Sequence, residues 1–384
     1  MWRGVGSTGT RQPRSHFVPL SLDKERTARA KRPVNGRVPN AVQASVVDLF
    51  CGAGGLSHGF KLEGFPLAAG IDLDEACRFP YQENNTAPFI RKDVADLKAD
   101  FVQRLFTPGQ KKVLVGCAPC QPFSPYNQKN ADPKWRLLNS FGKLIAAVGP
   151  DVVSMENVPR LLQFKRGRTF KSFVKTLTDN GYNVVWDVLY GPDFGLAQTR
   201  SRLVLLASRL GDIEMPKPTH KGPYLTVRDV IGNMPPLKHG ECDASDPMHC
   251  ASKLSETNSK RIVAARPGGT WKDWESDLVT ACHREETGRG YGAVYGRMEW
   301  NQPAPTITTQ FFGFGNGRFG HPEQDRGLSL REGALLQSFP PHYQFVESGE
   351  RVQIKLVGRL IGNAVPVKLS RSIALVVRKH LETY

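Results

Sequence analysis

Between residues 45 and 208, short apolar runs alternate with amphipathic segments, and no other feature of the chain restricts its fold so tightly. The runs SVVDLF (45–50), PLAAGI (66–71), FIRKDV (89–94), KVLVG (112–116), DVVSME (151–156), YNVVWDVLY (182–190) and RLVLLAS (202–208) have the length and apolar content of buried strands. Segments 55–63, 74–84, 96–106, 135–148 and 168–180 read as helices between them. This pattern predicts an α/β fold, a parallel sheet wrapped by helices on both faces. In such sheets ligands bind beyond the carboxyl ends of the strands, so the Gly, Asp and Cys residues there are the first to examine.

After Ser208 the texture changes. PKPTH, MPPL and RPGGTW punctuate a stretch without α/β alternation, which predicts a smaller, loop-rich domain over 209–342. Ser329 and Glu332 have capping-box spacing before GALLQSF. Further helices are expected at 350–361 and from Pro366 to about 380, within a C-terminal segment 343–384. Residues 1–44 carry nine Lys or Arg against Asp23 and Glu25, and are rich in Pro, Ser, Thr and Gly. They read as a disordered basic arm that either holds nucleic acid or solubilises the chain.

The formal charge of +16 suits a polyanionic partner, nucleic acid being the commonest. Seven cysteines, an odd number, and a first stretch without the apolar core of a signal peptide predict a cytoplasmic, reducing setting with mostly free thiols. No apolar stretch approaches the roughly 20 residues of a membrane span.

Three strand ends share one chemistry. VVDLFCGAGG (46–55) is a strand followed by a glycine turn, where Gly52, Gly54 and Gly55 let backbone approach a ligand. GIDLD supplies Asp72, placed to accept ribose hydroxyls, with Leu73 and Asp74 beside it; KDV supplies Asp93, placed to accept from an adenine amine. Together they predict a site for an adenosine-containing cofactor.

The fourth strand runs into GCAPCQPFS. Cys117 and Cys120 have the spacing of a redox pair, but Pro119, Pro122 and Pro125 oppose the helix start such a pair needs. Cys242, His249 and Cys250 do not complete a compact zinc site. The remaining reading is one nucleophile on a proline-held loop: Cys120, farther from the strand, with Cys117 as a packed residue. Glu156 and Asn157 in MENVP end the next strand, and a carboxyl beside a thiol suits attack on an electron-poor ring. In QTRSR, Arg200 and Arg202 alternate along an extended segment and are expected to share a face as an oxygen clamp.

In order, DLFCGAGG, PCQPFS, ENVP, QTRSR, RGLSLREGALLQSFP and GRLIGNAVP resemble the motifs of the DNA cytosine carbon-5 methyltransferases of bacterial modification systems. The resemblance covers roughly 46–208 and 318–375, with Cys51 and Cys117 at positions where relatives vary. It implies a Rossmann-like S-adenosylmethionine-dependent methyltransferase sheet with a target-recognition domain between the arginine motif and RGLSLRE. It implies S-adenosylmethionine as donor, held by Phe50, Gly52, Gly54, Gly55, Asp72, Leu73, Asp93, Pro119, Asn363 and Val365. Catalysis would fall to Cys120, Glu156, Arg200 and Arg202, with no metal.

The resemblance also implies double-stranded DNA as substrate, a flipped base, a loop over 121–134 that closes on DNA, a monomer in the bacterial cytoplasm, and a cognate restriction endonuclease acting separately. Gln121, Ser124 and Lys129 are DNA-binding candidates on that loop. The variable part, about 238–300, holds nine Lys or Arg and ten Asp or Glu, so base-edge reading is expected there rather than bulk electrostatics. Arg284, Arg289, Tyr291 and Arg297 are the candidates. Arg160, Lys165, Arg166, Arg168, Lys171 and Lys175 form a basic cluster that either tracks phosphates or is solvated. A transfer-RNA cytosine methyltransferase of the same fold, a silent DNA-binding regulator and a thiol oxidoreductase are the competing readings.

Overall fold

Each apolar run becomes a strand. The computed structural model describes residues 42–119, 135–286 and 288–384, all within one compact unit, Pro39–Tyr384. The basic arm therefore lies outside the described residues except for its last three positions. The first half alternates β1 (Ala44–Leu49), α1 (Gly55–Leu62), β2 (Leu67–Asp72), α2 (Arg78–Asn85), β3 (Phe89–Arg91), α3 (Ala99–Leu105), β4 (Lys111–Gly116), α4 (Arg136–Val148), β5 (Val152–Asn157), α5 (Arg168–Asp179) and β6 (Asn183–Tyr190). FIRKDV is cut short because the Asp93 carboxylate accepts from the Ala95 amide and turns the chain into a 3-10 turn.

A two-residue strand β7 (Gln198–Thr199) and β8 (Ser201–Ser208) follow, giving a seven-stranded sheet in the order β3-β2-β1-β4-β5-β8-β6. The expected parallel arrangement holds from β3 to β5 but fails at the far edge, where β8 runs antiparallel between β5 and β6. The connection from β6 to β8 holds only a 3-10 turn and β7, too little chain for the helical crossover that a parallel return requires.

Period-two alternation builds the two faces. From β1, Val47 and Leu49 join a buried cluster with Phe141 and Ile145 of α4 and Phe173 of α5. Ala44 and Val46 join the opposite one, with Leu56 and Phe60 of α1. That second face is completed from the far end of the chain. After α6 (Val227–Ile231), α7 (Glu256–Ala264), α8 (Ala281–Arg284) and β9 (Ala304–Pro305) come α9 (Leu330–Leu336), α10 (Ile354–Asn363) and α11 (Val367–Leu381). Leu369, Ile373 and Val377 of α11 pack in the α1 cluster. Ile354–Leu381 is long and apolar enough to cross a bilayer, contrary to the sequence expectation; it is broken between α10 and α11 at Pro366, and 72% of its apolar window is buried in the protein.

The loop-rich region packs on the carboxyl-end side. Ile307, Phe311, Phe339 and Tyr343 share a cluster with Cys51 and Tyr81. A separate aromatic cluster holds Trp271, Trp274 and Phe314, with Tyr295 against it. The expected capping box is present: Ser329 Oγ accepts from the Glu332 amide, and Glu332 accepts from the Ser329 amide. Mostly free thiols were expected; Cys242 and Cys250 form a disulfide where a single antiparallel bridge brings their Cα atoms to 3.9 Å.

Candidate active site

A cleft of about 570 Å³ opens at the carboxyl ends of β1, β2 and β4. Phe50, Gly52, Asp72, Leu73, Asp93, Pro119, Asn363 and Val365, all expected to hold a cofactor, line it. Phe50 takes a left-handed φ of 57°, a strained conformation for an aromatic residue, at the point where β1 meets the glycine turn. Asp72 is the organiser: its Oδ2 accepts from the Gly52 amide at 3.0 Å and its Oδ1 from the Asp74 amide at 2.9 Å. Burial raises its titration above the ordinary carboxylate range, against the pull of these backbone bonds. Arg359 of α10 reaches Asp74 as an ion pair and also lines the cleft, so the late helices close one wall.

Gly54 and Gly55, expected to hold the ligand, are not among the residues lining the cleft. At φ 90°, a side chain on Gly54 would overlap Asn85, and one on Gly55 would overlap the Val365 carbonyl. They let α2 and the 365 segment pack against the turn. Behind it lies Asp48, 1% exposed, whose Oδ2 accepts from Ser57 Oγ at 2.7 Å. Burial pushes the Asp48 carboxyl up to about 7.

Beside the cleft, the β4–β5 register continues past the last paired residues, Gly116 and Met155, and brings Cys117 next to Glu156. Glu156 is 2% exposed. Its Oε1 meets Arg202 Nε at 2.9 Å, and Cys117 Sγ donates to its Oε2 at 2.8 Å. Antiparallel pairing of Glu156 with Val204 places Arg202, two residues on, along the same face. Asn157 Nδ2 donates to the Ala118 carbonyl at 3.0 Å, tying the chain before Pro119 to β5. The sequence reading missed these grips by Cys117 and Asn157; the step-for-step strand register is the signal that would have found them.

Arg200 and Arg202 do not form the expected clamp. Arg200 is buried, and its guanidinium donates to the carbonyls of Ile307, Gly362 and Ala364, because the break between β7 and β8 turns it from the sheet's face. It ties the loop-rich region and α10 to the sheet. Arg297 is likewise not a DNA-facing residue. It is 5% exposed and donates to the carbonyls of Ile262, Ala265, His321 and Gln324, with an ion pair to Asp325. Arg284, Arg289 and Tyr291 are exposed. In the basic cluster Lys175 is paired with Asp179, and Lys165 lies over the Trp135 ring. Cys120, Gln121, Ser124 and Lys129 lie outside the described residues.

The fold places the chain in a class first. A solved structure assigned as a DNA modification methyltransferase of an E. coli prophage superposes over 89% of this chain and all of its own, with a TM-score of 0.69 at 19% identity. The S. pombe Dnmt2 methyltransferase does so over 88% and 99%, at 0.58 and 18%. The architecture is thus shared with these two structures. Residues 44–379 match the C-5 cytosine-specific DNA methylase family. The chain is 50% identical over 340 residues to the type II methylase M.HgiDII of Herpetosiphon aurantiacus, covering 88% of this chain and 96% of that protein. It is 30% identical over 339 residues to the type II methyltransferase M1.HphI of Haemophilus parahaemolyticus, covering 87% and 86%. The chain belongs to the C-5 cytosine-specific DNA methylase family, whose reaction is methylation of cytosine carbon 5 in DNA.

Proposed function

We propose that this chain modifies a flipped cytosine within a specific duplex sequence through a covalent adduct on Cys120, with S-adenosylmethionine as donor. The observation that carries the reading is the buried Glu156, gripped by Arg202 and Cys117 beside a cleft rimmed by Phe50, Asp72 and Asp93. The cleft fits the donor: carboxylates at two successive strand ends match ribose hydroxyls and an adenine amine, the Phe50 ring offers a stacking face, and the turn at Gly52 has no side chain in the way. When bound, the donor supplies an electrophilic methyl group.

The chain's own residues make the acceptor competent. Cytosine carbon 5 is a weak nucleophile and is buried in the base stack, so the base is flipped at a cost of a few kcal/mol. The Cys120 thiolate adds to carbon 6, and its electron pair moves the ring's density onto carbon 5. Glu156 bonds ring nitrogen 3 and the exocyclic amine, supporting the charge that builds there, while Arg202 holds the ring carbonyl oxygen and keeps the acid in place. Once carbon 5 carries the methyl group, loss of its proton returns an electron pair to the ring and expels Cys120 as thiolate. Arg284, Arg289 and Tyr291 face outward from the variable region and are the base-reading candidates that remain. The 50% identity to a type II methylase supports a role as the monomeric, cytoplasmic modification half of a restriction–modification system, with a separate endonuclease.

Duplex DNA carrying 5-fluorocytosine, incubated with the protein and S-adenosylmethionine, tests the reading. Fluorine cannot leave as a proton does, so a stable protein–DNA adduct is expected, abolished by Cys120→Ser and retained by Cys117→Ser. An adduct with fluorinated RNA and none with DNA would overturn the substrate.

A further inference from the structure

We infer that Cys117 is a positioning residue for the acid Glu156, so that the two cysteines of GCAPC serve one reaction in different ways. The inference rests on the proposed role of Glu156. Three observations place Cys117 there. Its amide donates to the Leu49 carbonyl at 3.3 Å, which extends the β1–β4 ladder by one residue and fixes the backbone. The β4–β5 register sets it beside Glu156. Its Sγ donates to Oε2 at 2.8 Å, the oxygen that Arg202 Nε does not take.

The carboxyl of Glu156 is therefore held from two sides, by a guanidinium on one oxygen and a thiol on the other. The two grips differ in kind. A guanidinium is charged at every working pH and fixes the plane of the carboxyl. A thiol is a weak, neutral donor, strong enough to select a rotamer in a buried site and weak enough to yield when a ring nitrogen and an amine arrive at the same oxygen. Cys117 also lines the donor cleft, so the wall that positions the acid is shared with the wall that bounds the donor. Ala118, the next residue, is tied to Asn157 in the same manner, which leaves the pair 117–118 stitched to the pair 156–157.

The test is steady-state methyl transfer to unmethylated plasmid DNA by the full chain, comparing Cys117→Ala, Cys117→Ser and Glu156→Gln across the pH range in which the protein stays folded. Loss of the donor in Cys117→Ala is expected to lower kcat about tenfold, the rate equivalent of one hydrogen bond to a charged group, with KM for DNA and donor within about twofold. The kcat–pH profile is expected to shift in that variant. Cys117→Ser, which keeps a donor, is expected to restore kcat to within about threefold and to return the profile to the wild-type position. Equal losses in the Ala and Ser variants, or a raised donor KM at constant kcat, would make Cys117 only a packed wall of the cleft and overturn the inference. A hundredfold or greater loss in Glu156→Gln alongside an unchanged Cys117→Ala would overturn it while leaving the acid's role standing. Wild-type kcat in Glu156→Gln would remove both together.

Discussion

Two buried carboxylates, each facing an arginine, mark the sheet and the loop-rich region, and they differ in how fully they are satisfied. Glu156, in the sheet, forms an ion pair with Arg202 Nε and accepts a hydrogen bond from Cys117 Sγ, and the Arg202 side chain retains 12% exposure beside a cleft. Glu332, in the capping box of α9, accepts from Arg326 Nη1, Arg326 Nη2 and the Ser329 amide, each at 2.7 Å, with both side chains fully buried. Burial alone would raise Glu332, but the Arg326 bonds and charge outweigh it and hold the carboxyl below its ordinary value. One pair keeps bonding capacity beside open space; the other is saturated and sealed. The same two residue types thus leave one ion pair partly exposed beside a cleft and seal the other inside the scaffold.

The comparison breaks if the two glutamates respond alike to the same isosteric change. Glu156→Gln is expected to reduce methyl transfer by about 10²–10⁴-fold, with a small change in thermal midpoint, measured by turnover alongside calorimetry. Glu332→Gln leaves Arg326 charged and buried without its counter-ion, so a loss of about 3–5 kcal/mol in stability is expected, read from urea unfolding of the whole chain.

Asp48 sharpens the contrast, being a buried carboxyl whose hydrogen-bond partner is a serine rather than an arginine. Its folded titration near 7 lies above its ordinary 3.8, so the stability it contributes is complete below 3.8 and is lost as pH rises through about 7. Glu332 has the opposite sign: its contribution is present above the ordinary value of 4.5 and is lost as pH falls through its lower folded value. Asp48→Asn keeps an acceptor for Ser57 and removes the titration. Its stability relative to wild type should rise between about pH 4 and pH 8, by up to about 4 kcal/mol, as followed by unfolding at both ends of that window. The smallest effect belongs to exposed Arg289: Arg289→Ala is expected to change stability by less than about 0.5 kcal/mol while weakening DNA binding, measured by titration at fixed salt.

The sheet, its helices and most of the cleft were legible because their signals are local. A strand shows its own apolar run, and Asp72 and Asp93 show their place in the cleft by standing at strand ends. The fate of an arginine is not local. Arg202 and Arg200 are two residues apart, yet one meets Glu156 and the other meets carbonyls more than 100 residues away. Arg297 was a base-reading candidate because it stands in the variable part of the chain, but its partners come from 262–265 and 321–325. The antiparallel turn of β8 was hidden for a related reason, since strand direction is set by the length of the preceding connection and not by the strand's own residues. Cys242 and Cys250 likewise give no sign of their bond in spacing alone.

The cleft draws its walls from residues 50–140 and 359–365, and α11 closes the face of the sheet behind α1. During synthesis, the first set of walls leaves the ribosome more than 200 residues before the second. A nascent chain can fold its first strands long before the cleft has all its walls, and a chain that stops short of α10 lacks one of them. The cleft is thus whole only once α10 has joined the first strands.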